Sequence, residues 1–142
     1  MKKFRRSSWR FQTTFHTPLD SLQPFVATIL HSLGQVKSAT LTIDAVIMEP
    51  KKLRAIAPGD ELGHDTSVSA ETSDEAHRLL VAALSDWVDF LFVPDPKPFV
   101  LFADHDEYTT FFANTKSNLN KVASALDKEG FTLVAGYARD SR

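Results

Sequence analysis

The same succession of patterns occurs twice along the chain, and it constrains the fold more than any other feature. In each copy a strand with alternating apolar and polar residues is followed by a short turn, an amphipathic helix, a glycine and a second strand. The first copy runs from a strand near 8–16 to one near 39–48, and the second from 108–113 to 131–138. Two β-α-β units in a chain of this length predict an α+β protein with helices on one face of a sheet.

The two copies also resemble each other in sequence. A shift of 96 residues gives eight identities in 22 positions, which include Thr14 with Thr110 and Gly34 with Gly130. Because many shifts are possible within one chain, this similarity supports a shared order of elements and does not by itself establish a duplication.

The middle of the chain predicts a further helix and an irregular region. Apolar residues at spacings of three and four, after a capping sequence Thr72-x-x-Glu75, predict a helix near 74–88. Residues 49–66 are rich in turn-forming residues, with an apolar piece, 53–56, that could pair as an edge strand. Residues 67–71 are a further candidate strand.

Two apolar runs, 99–103 and 108–113, are separated by the tetrapeptide Asp104-His105-Asp106-Glu107 and predict a β-hairpin. Aspartate favours turns because its carboxylate accepts hydrogen bonds from nearby amides. The preceding run, 90–93, fits either the end of a helix or a strand.

The complete prediction is an α+β fold in which about three helices pack on a mixed or mostly antiparallel sheet of five to seven strands. The helices are expected near 21–33, 74–88 and 117–129, and the strands near 8–16, 39–48, 99–103, 108–113 and 131–138.

Composition restricts the class of protein. The 142 residues are 43% hydrophobic and 24% charged, as in a soluble globular domain, and no apolar run is long enough to cross a bilayer. Disulfides, zinc–thiolate sites, iron–sulfur clusters and a thiol nucleophile are excluded because there is no cysteine. The basic start lacks the apolar region of a secretory signal. We therefore expect a single soluble cytoplasmic domain, residues 1–142, and no membrane partner.

Charge is distributed unevenly along this chain. Residues 1–10 hold five basic residues and no acid, which leaves 11 basic against 18 acidic residues elsewhere, a net charge of −7. A basic N-terminal arm, residues 1–7, can contact nucleic-acid phosphates only weakly at physiological salt. The acidic body would repel phosphate and instead favours a protein partner.

Sequence motifs for phosphate cradles, nucleophilic catalysis and zinc binding are missing. The chain contains no G-x-x-x-x-G-K-[ST], G-x-G-x-x-G, G-x-S-x-G or H-E-x-x-H. An EF-hand starting at Asp104 fails because Thr109 and Thr115 stand where glycine and a bidentate glutamate are needed. The sequence therefore predicts no catalytic residue, no metal ligand and no cofactor, and it favours a protein that is not an enzyme.

Two loops that are rich in acid and histidine, 58–66 and 104–108, form the candidate partner or ligand surface. Consecutive residues of a tight turn point in diverging directions, so we expect the second loop to be an exposed hairpin turn. The candidate residues are Asp60, Glu61, His64, Asp65, Asp104, His105, Asp106, Glu107 and Tyr108.

Three functions remain. The first is a noncatalytic protein that binds a macromolecular partner through an acidic surface or a sheet edge. The second is an enzyme, or a protein that binds a small ligand or metal, whose site requires loops 58–66 and 104–108 to meet. The third is weak nucleic-acid contact through the arm.

Overall fold

The computed structural model describes residues 9–59 and 61–137, so the predicted basic arm and Asp60 lie outside the described residues. This part of the chain is an α+β fold in which four helices pack against a six-stranded antiparallel sheet. In chain order the elements are β1 (Phe11–His16), α1 (Leu22–Ser32), β2 (Ser38–Ala45), α2 (Lys51–Ile56), β3 (Ser67–Ala70), α3 (Ser73–Ser85), β4 (Asp89–Asp95), β5 (Phe99–Ala103), β6 (Tyr108–Ala113) and α4 (Lys116–Lys128).

The strand order is β1-β6-β5-β4-β2-β3, and every neighbouring pair is antiparallel. Alternate strand residues point to opposite faces, and one face is buried against the helices. The main core joins fully buried strand residues to helix residues, among them Phe15, Leu41, Phe90, Phe111, Phe25, Leu80 and Leu126. The predicted fold class is confirmed.

The opposite face of the sheet carries a smaller apolar cluster. Val100, Phe102 and Phe112 pack there against Trp9. The Lys97 ammonium lies 5.8 Å from the centre of the Trp9 ring, a cation–π contact that covers this face.

The three predicted helices are present, and the capping sequence acts where it was expected. The Thr72 hydroxyl accepts a hydrogen bond from the Glu75 amide at 3.1 Å. The Glu75 carboxylate reaches back to the Glu71 amide at 2.8 Å, one residue before the cap. The backbone amides of Glu71 and Glu75, at the start of α3, therefore both have a hydrogen-bond acceptor.

The suggestion that residues 53–56 could pair as an edge strand is wrong, because these residues belong to α2. The carboxylate of Asp86 accepts hydrogen bonds from the Lys52 amide at 3.3 Å and from the Leu53 amide at 2.8 Å. Leu53 itself is fully buried in the core. A carboxylate 33 residues away therefore caps the start of a helix that has no local capping side chain.

The strand expected near 131–138 is not formed in residues 131–137; this stretch makes one isolated bridge, between Leu133 and Phe15. The Val134 amide donates to the Thr14 carbonyl at 2.8 Å, so the chain touches the outer edge of β1 only briefly. Gly136 then adopts a positive φ of 77°, which turns the chain and ends the pairing. Tyr137 packs on Tyr108 instead of extending a strand.

The remaining ambiguities are resolved by local backbone geometry. Trp87 has a positive φ of 62°, which separates α3 from β4, so residues 90–93 form a strand. Residues 67–70 form β3, as expected. The residues aligned by the internal similarity, Thr14 and Thr110, lie opposite each other in β1 and β6, with their buried hydroxyls 2.8 Å apart.

Among the described residues, 9–59 and 61–137, no helix has both the length and the apolar character required to span a membrane.

Candidate functional site

One end of the sheet carries a row of carboxylates. At this end β2 and β5 finish while β4 and β6 begin, because neighbouring strands are antiparallel. We call the carboxylates at this end the acidic rim: Asp44, Asp65, Asp89, Asp104, Asp106 and Glu107.

The predicted hairpin turn at residues 104–107 is confirmed, and Asp104 organises it. One carboxylate oxygen of Asp104 accepts hydrogen bonds from the Asp106 amide at 2.9 Å and the Tyr108 amide at 3.3 Å. Glu107 takes a positive φ of 69°, which closes the turn. Asp104 therefore serves the turn, whereas the Asp106 side chain is 73% exposed and faces outward.

His105 ties this turn to the start of β4. Its backbone amide and its ring Nδ1 lie 2.8 Å and 2.9 Å from the same carboxylate oxygen of Asp89. This geometry places a proton on Nδ1, because a carboxylate oxygen can only accept. The hydrogen bond to Asp89 and the negative charge of Asp89 raise the pKa of His105, partial burial opposes the rise, and the charge of Asp106 adds to it.

A second histidine lies between carboxylates in the other candidate loop. His64 Nδ1 is 2.9 Å from the Asp44 carbonyl oxygen and 3.8 Å from the Asp44 carboxylate. Its Nε2 is 3.4 Å from the Asp65 carboxylate. This ring is more exposed than His105 and bridges the end of β2 to the chain that enters β3.

Glu107 and Tyr108 contact the end of β1 and the segment that follows α4. The Glu107 carbonyl accepts a hydrogen bond from the Thr17 amide at 2.8 Å. The Tyr108 ring lies 4.7 Å from the Tyr137 ring and 5.7 Å from the His16 ring, centre to centre. Burial raises the pKa of Tyr137, with further contributions from Tyr108 and Asp106. The turn is therefore bonded to β4 through His105 and to the residue after β1 through Glu107.

The two candidate loops lie at the same end of the sheet, but β2 and β4 stand between their attachment points. A cavity of ≈ 10 Å³ lies behind the turn, with Asp104, His105, Trp87 and Val88 in its wall and no residue of 58–66. Such a volume accommodates about one water molecule. Glu61 is exposed, and its carbonyl accepts a hydrogen bond from the Thr66 hydroxyl.

In the ranges 9–59 and 61–137, no cluster of three or more histidine, aspartate or glutamate side chains is arranged to hold a metal ion. Asp60 lies outside these ranges, so the predicted lack of a metal site stays a prediction.

Sequence reasoning missed Asp89 and Asp44, the partners of the two histidines. Interpreting residues 90–93 as a strand would have placed Asp89 at its start, beside the hairpin turn. Assigning residues 90–93 to a strand is therefore the step that would have identified Asp89 as the partner of His105.

Comparisons of the chain with protein-family models, with curated proteins and with solved structures give no match. The class that fold and rim define is an α+β protein with helices on one face of its sheet and carboxylates along one end.

Proposed function

We propose that the protein is a noncatalytic binding protein whose acidic rim docks a partner protein with a basic surface. The observation that carries the proposal is the charge of the rim: the groups that contact Asp44, Asp89 and Asp106 are histidine rings. These three carboxylates carry −3 against at most +2 from His64 and His105, so they stay net negative even when both rings are protonated.

Rigidity is the second property that suits the rim to docking. Asp44 and Asp89 lie at strand ends, and the turn 104–107 is bonded to Asp89 of β4 and to Thr17, directly after β1. Asp65 lies in the loop before β3, where its amide donates to the Ile43 carbonyl. Charges that are fixed in place steer a complementary partner and lose little side-chain entropy on binding. Asp106 and Asp65 are the exposed members, at 73% and 46%, and Asp44 is half-buried at 35%.

The alternative function, an enzyme or a small-ligand protein, is favoured by one observation. Asp89 holds Nδ1 of His105, which leaves Nε2 available to accept a proton, as in a carboxylate–imidazole general base. This alternative requires substrate space, and the cavity beside His105 offers only ≈ 10 Å³. Nucleic-acid contact through the arm concerns residues outside the described ranges and stays a third hypothesis.

We place the proposed function in the cytoplasm, since a chain without cysteine does not depend on an oxidising compartment. The partner class follows from the sign of the rim: a protein that presents lysine and arginine on a surface patch.

Affinity capture from extract of the source cells at low salt, with three forms of the protein as bait, tests this proposal. The rim variant carries Asp44→Asn and Asp106→Asn. The control carries Asp95→Asn and Asp127→Asn, two exposed carboxylates outside the rim, so that both variants change the net charge equally. We expect the wild-type and control baits to recover the same basic protein and the rim variant to recover much less of it.

Equal recovery by all three baits would contradict the proposal, as would a wild-type bait that recovers no protein beyond the bare resin. Turnover of a substrate that is lost in His105→Asn would instead support the alternative.

A further inference from the structure

Within residues 9–59 and 61–137, the outer edge of β3 presents backbone groups without backbone partners, and the bonding of β2 shows which ones. Ile43 donates its amide to the Thr66 carbonyl at 2.8 Å and accepts from the Asp65 amide at 2.8 Å. The polar groups of Ile43 therefore point toward the β3 side. In an antiparallel pair this direction alternates along each strand, so Leu41 and Ala39 also bond toward β3.

Leu41 pairs with Val68 and Ala39 with Ala70, so Val68 and Ala70 use their backbone groups on β2. Ser67 and Ser69 accordingly direct their amides and carbonyls away from the sheet. Within the described residues, no backbone hydrogen bond reaches these outward groups. They are the bonding positions of an absent neighbouring strand.

The two edges of the sheet differ in this respect. At β1 the chain after α4 bonds a short part of the edge, since the His16 amide donates to the Thr132 carbonyl at 2.9 Å and the Val134 amide to the Thr14 carbonyl at 2.8 Å. At β3 the sequence Ser67-Val68-Ser69-Ala70 carries none of the lysines, prolines or bulges with which proteins usually block an exposed edge. In the part of the chain that the structure describes, the outward backbone groups of β3 therefore have no backbone partner.

A groove of ≈ 430 Å³ runs beside this edge, between three elements. It is lined by Ala55 and Ile56 of α2, Ser69 and Ala70 of β3, and Glu75, Arg78 and Leu79 of α3. The Glu75 carboxylate accepts a hydrogen bond from the Glu71 amide at 2.8 Å. Ile56 is 42% exposed and presents an apolar side chain to the groove. A strand added to β3 would direct alternate side chains into this groove, where Ala55, Ile56 and Leu79 offer apolar contacts.

We propose that the β3 edge binds an extended peptide segment of another protein, which adds as a seventh strand and inserts alternate apolar side chains into the groove. Main-chain bonds to Ser67 and Ser69 supply register, and the groove supplies selectivity for apolar residues. Arg78 is exposed, and no ion pair of its guanidinium is found in the described part of the chain. Charge complementarity thus favours an aspartate or glutamate in the peptide beside Arg78.

The occupant is a single peptide strand because α2 forms the wall of the groove opposite β3. A second copy of β3 would bring its own α2 against this wall. The site is separate from the acidic rim, and its partner has the opposite charge preference, so it goes beyond the function proposed above.

The probe is a phage-displayed library of random twelve-residue peptides, selected on the wild-type protein. We expect selected peptides with apolar residues at every second position and an acidic residue among them. Ser69→Pro removes an outward amide without touching the ladder to β2, and should weaken binding of the selected peptides about tenfold or more in fluorescence anisotropy. Ser69→Ala retains the amide and should bind like the wild type.

Two further variants separate a blocked site from a misfolded protein. Ile56→Asp changes an exposed side chain in the groove wall and should also weaken binding, while its thermal unfolding stays close to that of the wild type. The rim variant Asp44→Asn/Asp106→Asn should bind the same peptides normally. A variant that no longer captures the basic partner at the rim can therefore be distinguished from a variant that no longer binds peptides at β3.

Amide hydrogen exchange provides an independent readout. In the free protein the Ser67 and Ser69 amides should exchange much faster than those of Val68 and Ala70, and a selected peptide should slow them. Slow exchange of all four amides in the free protein would overturn the proposal. So would a library that yields no peptide sensitive to Ser69→Pro.

Discussion

Replacing Asp86 with alanine should destabilise the protein because it uncaps α2. Asp86 is 7% exposed, and its two carboxylate oxygens accept from the amides of Lys52 and Leu53. The six residues of α2 are too few to form a stable helix alone, and Pro50 at its start offers no capping side chain. The position of α2 therefore depends on a side chain at the end of α3.

The magnitude follows from the two hydrogen bonds. Loss of an N-terminal cap costs about 0.5–2 kcal/mol. The Leu53 amide would also be left buried without an acceptor, at about 1–3 kcal/mol. Since the two costs overlap, we expect a loss of about 2–3 kcal/mol in the free energy of unfolding for Asp86→Ala. Asp86→Asn keeps one acceptor oxygen and should lose about 1 kcal/mol.

Urea denaturation followed by circular dichroism measures these losses, and calorimetry should show a fall in Tm of about 7–10 °C for Asp86→Ala in a chain of 142 residues. Lys52→Ala removes an exposed side chain from the same turn and should cost less than about 0.5 kcal/mol. An Asp86→Ala variant as stable as Lys52→Ala would show that the Asp86 carboxylate does not stabilise α2. Because α2 carries Ile56, Asp86→Ala should also weaken peptide binding at β3.

Two other perturbations test the rim and the core. Asp89→Asn should lower the pKa of His105 toward its ordinary value of 6.5, which an NMR titration of the ring protons would show; an unchanged titration would contradict the His105–Asp89 contact. Since the folded-state pKa of His105 lies above that value, the stability that the pair contributes is complete below about pH 6.5 and is lost as pH rises through the raised pKa. The destabilisation by Asp89→Asn should therefore be larger at about pH 5.5 than at about pH 9. Leu80→Ala and Leu126→Ala, both at fully buried positions, should each cost about 2–5 kcal/mol in urea denaturation, and a loss below about 0.5 kcal/mol would show that the helix faces are misassigned.

The helices were predictable because their signals are local. The apolar stripe of α3 and its Thr72 cap lie within one short stretch, and both needed only the helical repeat to be recognised. The hairpin at 104–107 was predictable for the same reason, since Asp104 bonds amides two and four residues further on.

The errors concern residues whose conformation depends on distant partners. The short segment 53–56 is helical because Asp86 caps it from another element. The segment after α4 fails to become a strand because it meets only a short part of the β1 edge before Gly136 turns it away. Neither a remote cap nor a free edge leaves a periodic signal in the sequence.

Distance along the sequence also explains which rim residues were predicted from the sequence and which were not. His105 and Asp106 are neighbours in sequence and were identified together. Asp89 is 16 residues from His105 and joins it only because β4 and β5 are adjacent in the sheet. The free edge of β3 likewise becomes visible only when the strand order is known.

The central claim, that the acidic rim docks a basic partner, is tested most directly by the salt dependence of association. Stopped-flow or surface-plasmon measurements with the captured partner should show a wild-type association rate that falls steeply as ionic strength rises, because salt screens the rim. Asp44→Asn/Asp106→Asn should associate more slowly at low salt, with a flatter dependence, and Asp95→Asn/Asp127→Asn should retain the wild-type slope. Equal slopes for the wild type and the rim variant would contradict the account.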